Sequence, residues 1–297
     1  MESFRPNRWL GLLSGIALTL LVLAADAFML WGVSQYGVSL TSFFLLLMVA
    51  GTLFVLALLG YWLYGLIGAN FYLDRNALIV RWGATTQVVP MQSVTGVLSG
   101  QDLERITRFR GARWPGMRVG YGEIEDIGPT LFFTTTPLHR QVVLTTSALA
   151  YALSPSDAEA FIETTRQRLS MGPTQSVEQA SRQPDFLTWS FWSDRLGLTL
   201  LGSALVLLIA LFGYISMRYD SLADLQPLHF DAAGQPDRWG TRVQVFTLPF
   251  IGLLALIANG GLGFLLYERE RTATYLLWSG AIVVQVLVWG AILGILR

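Results

Sequence analysis

Apolar residues dominate five separated runs of the chain: Trp9 to Val33, Ser42 to Ala69, Leu196 to Ser216, about Val243 to Tyr267, and Ala273 to Leu296. A helix needs about 20 such residues to cross the roughly 30 Å apolar core of a bilayer, so each run predicts a membrane-spanning helix. The first follows Arg5 and Arg8 as a signal peptide would. Its apolar run is too long for one and no small-residue cleavage site follows, so a retained helix is expected.

Between the second and third runs the period shortens to strands broken by turn residues. Phe71–Asp74 and Ala77–Trp82 flank Arg75-Asn76 as a hairpin, and Thr85–Val89 and Val94–Leu98 follow Gly83. Further strands are expected at Met117–Ile124, Thr130–Thr135, Gln141–Thr146 and Leu149–Leu153. A helix then begins, with Ser154 suited to the N-cap, Pro155 to the first turn and Asp157 to N3. Phe161, Ile162 and Thr165 supply its buried stripe, and it ends near Leu169. Strands followed by one capping helix describe a small β-barrel or sandwich.

The expected fold class is therefore a five-helix membrane bundle with an inserted β-rich domain and a C-terminal helix on that domain. Residues 1–69 form an N-terminal helical hairpin and 70–171 the β-rich domain. Residues 172–195 read as a polar linker, through Asp185, followed by an aromatic interfacial segment from Phe186 to Arg195. Residues 196–297 form a C-terminal membrane domain with an external loop at 217–242.

Composition agrees: of 297 residues, 53% are hydrophobic and 13% charged, against about 25% charged in an ordinary soluble domain. The formal net charge is zero, and nothing global points to nucleic acid. The chain has no Cys, which excludes disulfides, thiolate metal sites and Cys nucleophiles. Every one of its 20 basic residues is Arg, and their placement sets the orientation. Arg5, Arg8, Arg195, Arg269 and Arg271 share one side of the expected topology, and the Ser34–Leu40 connection carries no charge. The N-terminus and the β-rich domain are thus expected in the cytoplasm and the C-terminus outside, in a multi-pass inner or plasma membrane protein. Gly11-xxx-Gly15 and Gly290-xxx-Gly294 would allow close helix approach within the bundle.

Two stretches resemble known families. Tyr72-Leu-Asp, Val89-Pro-Met-Gln-Ser-Val94, Trp114-Pro-Gly116, Phe132-Phe-Thr-Thr135 and Leu153-Ser-Pro-Ser-Asp157 with Phe161-Ile162 resemble the bacterial PH-like domains of membrane proteins, over about 64–172. That resemblance implies a binding or scaffolding module without an assigned lipid. Pro227, His229, Phe230, Asp231, Gly234, Pro236, Asp237 and Gly240 resemble the loop signature of a small membrane domain of unknown function, over about 200–296. That domain also occurs in sporulation-toxin immunity proteins.

Three groups of residues carry candidate chemistry. Arg105, Arg108, Arg110, Arg113 and Arg118 cluster around Trp114, where juxtamembrane Arg gains about 1 kcal/mol each near anionic lipid. A solvated loop between strands is the competing reading, and the commoner one. In the external loop, His229 and Asp231 would need Asp237 to fold back before a metal could bind, so a rigid loop turned by Gly234 is favoured. His229 would alternatively titrate as an external pH sensor. Within the spans, Asp26 has Asn259 and Gln285 as its available polar partners. It either faces a functional cavity, protonated or paired, or reaches interfacial water.

No catalytic, metal or cofactor constellation appears in the sequence. The expected function is a non-enzymatic binding, scaffold or signalling membrane protein acting through the PH-like module. The alternative is a small transporter or toxin-immunity component using the polar groups of the bundle. The lipid bilayer is the expected partner, with another membrane or cytoplasmic protein as the further class.

Overall fold

The computed structural model of the chain describes residues 1–182, 189–231 and 233–296. It divides into two units: Met1–Ala25 with Thr52–Thr188, and Asp26–Gly51 with Trp189–Arg297. Two helices, α1 (Trp9–Tyr36) and α2 (Leu40–Ile67), contribute part of their length to each.

The first unit is a sandwich of two sheets. One has the order β1 (Glu2–Phe4), β2 (Asn70–Leu73), β3 (Ala77–Trp82), β4 (Thr85–Pro90), β11 (Ala180–Arg182). The other has the order β5 (Val94–Ser99), β9 (Val142–Thr146), β10 (Ala150–Leu153), β8 (Gly128–Thr134), β7 (Met117–Ile124), β6 (Ile106–Trp114). All pairings are antiparallel except β8 with β10.

Alternation along the strands builds the core. Leu78, Val80 and Trp82 point inward from β3 while Ile79 and Arg81 point away. They meet Phe71, Leu73, Val89, Leu131, Phe133, Leu144 and Leu153 in one apolar cluster. The opposite face of β8 is buried as well: Phe132 packs with Ile124, Val143 and Ala152, and Phe109 lies edge-on to it at 5.7 Å. Phe109 reaches that face because β6 bulges between Thr107 and Arg110, with Arg108 at φ 47°. Such a bulge re-aims one side chain of a strand.

The helix α3 (Ala158–Met171) closes the sandwich, with Phe161 edge-on to Phe4 at 5.0 Å. Its N-cap is Asp157, whose carboxylate accepts from the Ala160 amide at 2.9 Å, and not the expected Ser154. Ser154 is fully buried instead, accepting from the Thr135 amide at 2.7 Å. A hydroxyl without solvent must pair with nearby backbone, and that demand outweighs its capping preference.

Both edge strands of the first sheet come from outside the 70–171 stretch. β1 precedes the first apolar helix, and β11 lies inside the stretch expected to be a linker. Each is three residues long, too short for alternation to declare itself. The rest of that linker is anchored too: Asn76 Oδ1 accepts from the Thr174 and Gln175 amides at 2.8 and 3.1 Å. Its end, with Phe186 and its neighbours in the expected interfacial segment, falls at 183–188, outside the described residues.

The second unit packs the remaining parts of α1 and α2 with α4 (Arg195–Arg218), α5 (Thr247–Leu266) and α6 (Arg271–Ile295). Leu211, Ile215, Val245, Val288 and Ile292 form its main core. Small residues set the crossings: a side chain on Gly213 would lie 3.0 Å from the Phe43 ring, and one on Gly252 2.7 Å from Gln285 Oε1. Trp289, half-buried, donates its indole N–H to the Leu207 carbonyl at 2.9 Å, giving its polar edge a partner. A hairpin, β12 (Leu225–Phe230) and β13 (Pro236–Thr241), forms most of the loop expected between α4 and α5.

Among the described residues, five helices are long and apolar enough to cross a bilayer. Their outward faces stay apolar: Leu21, Phe54, Leu254, Leu265, Leu276 and Leu287 are all exposed. A soluble chain rarely presents so much contiguous apolar surface.

Gly11 and Gly15 do sit at close approaches, Gly11 against Leu66 and Gly116 and Gly15 against Leu63. Gly290 and Gly294, by contrast, have no described atom within 4 Å of where a side chain would begin. Their face of α6 is turned away from the bundle, so that spacing makes no helix contact here.

Candidate functional site

The five clustered arginines do not form a loop. Four of them belong to the β6–β7 hairpin, which turns at Pro115-Gly116, and Arg105 lies just before it. The hairpin also separates them by charge. Arg105 pairs with Glu125 at 3.2 Å and Arg108 with Glu123 at 3.4 Å. Toward the turn, Arg113 and Arg118 stand directly opposite each other in register. Neither has a carboxylate within 4 Å among the described residues. Arg110 lies across from Tyr121, on the rim of an apolar groove with Trp62 and Trp82.

Trp114 fixes the position of the turn. Its indole N–H donates to the Gly11 carbonyl at 3.1 Å, and the Ser14 hydroxyl donates to the Pro115 carbonyl at 2.6 Å. Gly116, at φ 80°, packs its backbone on Gly11, which no residue with a side chain would permit. Arg8 donates to the Ile67 carbonyl at the end of α2, so the starts of both connections to the β-rich domain are tied down. Burial, and then the neighbouring Arg113, lower the proton affinity of the Arg118 guanidinium.

In the β12–β13 hairpin, Asp237 does fold back: its Oδ1 lies 2.6 Å from His229 Nδ1. Asp231 does not join them. Its Oδ1 accepts from the Ala233 and Gln235 amides at 2.9 and 2.8 Å, closing the turn with Gly234 at φ 78°. The turn includes Ala232, which lies outside the described residues. Among the described residues no third ligand completes a metal site with His229 and Asp237.

The three polar groups of the spans are each buried or half-buried. Asp26 is 6% exposed and Gln285 fully enclosed. Gln285 donates to the Gly252 carbonyl of α5 at 2.8 Å, while its Oε1 is buried without a protein partner. Asn259 donates to the Ala255 carbonyl one turn back on its own helix at 2.9 Å. Both amides are thus committed to carbonyls of α5.

Sequence reasoning missed a fourth group, around Asp194. This residue caps α4 by accepting from the Gly197 amide at 3.0 Å. Its other oxygen accepts from Tyr267 at 2.9 Å and Tyr275 at 2.8 Å. Burial alone would raise the carboxyl pKa. The bonds from the Gly197 amide, Tyr275, Tyr267 and the Leu196 amide outweigh it, and the carboxyl titrates below its ordinary value. Burial, and then the bond to Asp194, push the Tyr267 phenol up. Phe191, Trp278 and Phe264 pack around these tyrosines, with the Arg271 guanidinium 5.3 Å from the Tyr267 ring centre. An acid two positions before an apolar run was the available signal, since N-caps fall just ahead of such runs.

Fold and site together define a membrane-associated protein that combines apolar helices with a β-rich module. Residues 69–169 match the family model of the bacterial PH domain, and residues 205–253 match a domain of unknown function, DUF1648. The chain therefore joins a PH-like domain to a C-terminal domain of unknown function, as the two sequence resemblances imply. The chain matches no curated relative and no solved structure.

Proposed function

We propose that the chain is a non-enzymatic integral membrane protein in which a cytoplasmic PH-like module serves binding, scaffolding or signalling. The observation that carries this reading is the fastening of the β6–β7 turn to the first two turns of α1 through Trp114 and Ser14. A module held in this way presents its remaining surface in a fixed relation to the start of an apolar helix. Its interior hydroxyls support the same view: Ser154 pairs with Thr135, and Thr165 donates to the Phe161 carbonyl at 2.7 Å. These are structural uses. The Arg distribution along the chain supports an inside N-terminus and an outside C-terminus.

The test is capture of the intact chain in mild detergent, with mass spectrometry of what remains bound. A reproducible protein partner that is lost on Arg108→Glu with Arg110→Glu is the expected result. Absence of any partner from the intact chain overturns the reading.

One observation favours a second reading, a small transporter or toxin-immunity component: the buried Gln285 Oε1 without a protein partner, in the unit that also buries Asp26. Asp26→Asn in a correctly folded chain abolishes an ion- or toxin-dependent phenotype on this reading and is silent on the first.

A further inference from the structure

The β6–β7 turn forms one wall of an open basin of about 550 Å³, lined by Leu10, Arg113, Trp114, Arg118 and the Thr134–Pro137 turn. Two features make its chemistry unusual for the surface of this module. The first is uncompensated charge. Residues directly opposite on antiparallel strands are close neighbours, and like charges there repel. Arg113 and Arg118 occupy such a pair. A few residues along the same hairpin the identical problem is solved with glutamates, by Arg105–Glu125 and Arg108–Glu123. At the turn it is left open: the described residues place no carboxylate within 4 Å of either guanidinium.

The second feature is an unused donor. Arg118 Nε is buried with no hydrogen-bond partner, although a buried N–H ordinarily has one. The neighbouring threonines do not supply it. Thr134 donates to the Arg118 carbonyl at 3.3 Å, Thr135 is paired with Ser154 at 3.0 Å, and Thr136 donates to the Arg140 carbonyl at 3.4 Å. The basin thus holds two guanidinium groups without a carboxylate partner among the described residues, the Arg118 group lying 5.7 Å from the Phe109 ring centre.

We propose that this basin binds a phosphoryl anion between Arg113 and Arg118. The planar fork of a guanidinium matches two oxygens of a phosphate at once, so two forks can share the oxygens of one phosphate group. The position selects the source. Leu10 lies in the first turn of α1, and Trp114 and Ser14 hold the turn against that helix. On the reading that α1 crosses the bilayer, the basin opens at the depth of the lipid phosphates, and the anion is a lipid headgroup. The inference rests on the module being a binding module and names what one of its faces takes.

The experiment uses the intact chain, delipidated in neutral detergent and returned to nanodiscs of phosphatidylcholine with or without phosphatidylglycerol. Retained lipid is read by native mass spectrometry. Inorganic phosphate is titrated calorimetrically in the detergent sample as the second arm. Retention of phosphatidylglycerol should fall at least about tenfold in Arg113→Gln with Arg118→Gln. It should stay near the parent level in Arg105→Gln with Arg108→Gln, which also controls for loss of general charge. Phosphate binding with the same variant dependence, but no preference for the anionic lipid, upholds the anion site and assigns it a soluble ligand. Equal losses in both double variants, or no binding in either arm, overturn it. Protein capture by the unsubstituted chain separates the two ideas: a captured partner with neither anion bound sinks only the basin, and a bound anion with no captured partner sinks only the partner reading.

Discussion

The indole N–H of Trp114 and the carbonyl of Gly11 are 3.1 Å apart, and this bond ties the tip of the β6–β7 hairpin to the first turn of α1. It joins residues 103 positions apart in the chain. Trp114→Phe keeps an aromatic ring and removes the donor, so about 1 kcal/mol of stability should be lost. Amide exchange at the turn around Gly116 should speed up while the β3–β4 amides stay protected. Unchanged exchange at the turn would show that the bond does not hold the hairpin.

A glycine at the α5–α6 crossing should be far more sensitive than one on the outer face. Gly263 packs directly on the Trp278 indole, whereas Gly290 has nothing described within 4 Å. Gly263→Ala must displace that ring and should cost about 1–3 kcal/mol. Gly290→Ala should be neutral or slightly stabilising, because helix propensity rises with no clash. Thermal unfolding in detergent reads both, and equal effects would contradict the packing described.

Asp194 sets an acid limb on stability. Its folded pKa lies below the ordinary carboxylate value, mainly because hydrogen bonds from Gly197, Tyr275 and Tyr267 overcome burial. A depressed folded pKa means that the contribution is present above the unfolded value, about 4, and is lost as pH falls through the folded one. Asp194→Asn should flatten the decline of the unfolding temperature in that acid range. The partner behaves with the opposite sign. Burial and Asp194 raise the Tyr267 phenol, so its contribution is present below about pH 10 and fades above it. Tyr267→Phe should remove that alkaline limb.

The start of α3 distinguishes a cap from a buried bond. Asp157→Ala removes the acceptor for the Ala160 amide and should cost about 1 kcal/mol. Ser154→Ala leaves the buried Thr135 amide and hydroxyl without their partner and should cost about 1–3 kcal/mol. Helicity by circular dichroism should fall for the first variant, while the second lowers the unfolding temperature of the whole module. The reverse order would restore Ser154 as the cap.

The apolar runs were readable because length and hydropathy are local properties: the expected span at Leu196–Ser216 lies within the observed Arg195–Arg218 helix. Strands with strong alternation were equally plain, Met117–Ile124 among them. Weak spots were short or charge-rich. Ile106–Trp114 is a strand although its arginines suggested a solvated loop, because Ile106 and Phe109 pack beneath the sheet through a bulge at Arg108. No local pattern announces a bulge.

By itself the chain determined that five apolar helices and a β-rich, PH-like segment would form, since each follows from the order of residues within a window. Only the tertiary structure decided which charges meet. Asp194 with Tyr267 and Tyr275 joins residues 73 and 81 positions apart. Likewise the strand register pairs Arg105 and Arg108 with glutamates and leaves Arg113 facing Arg118. Pairings of this kind depend on register and helix contact, which the whole packing energy settles and which no window of sequence contains.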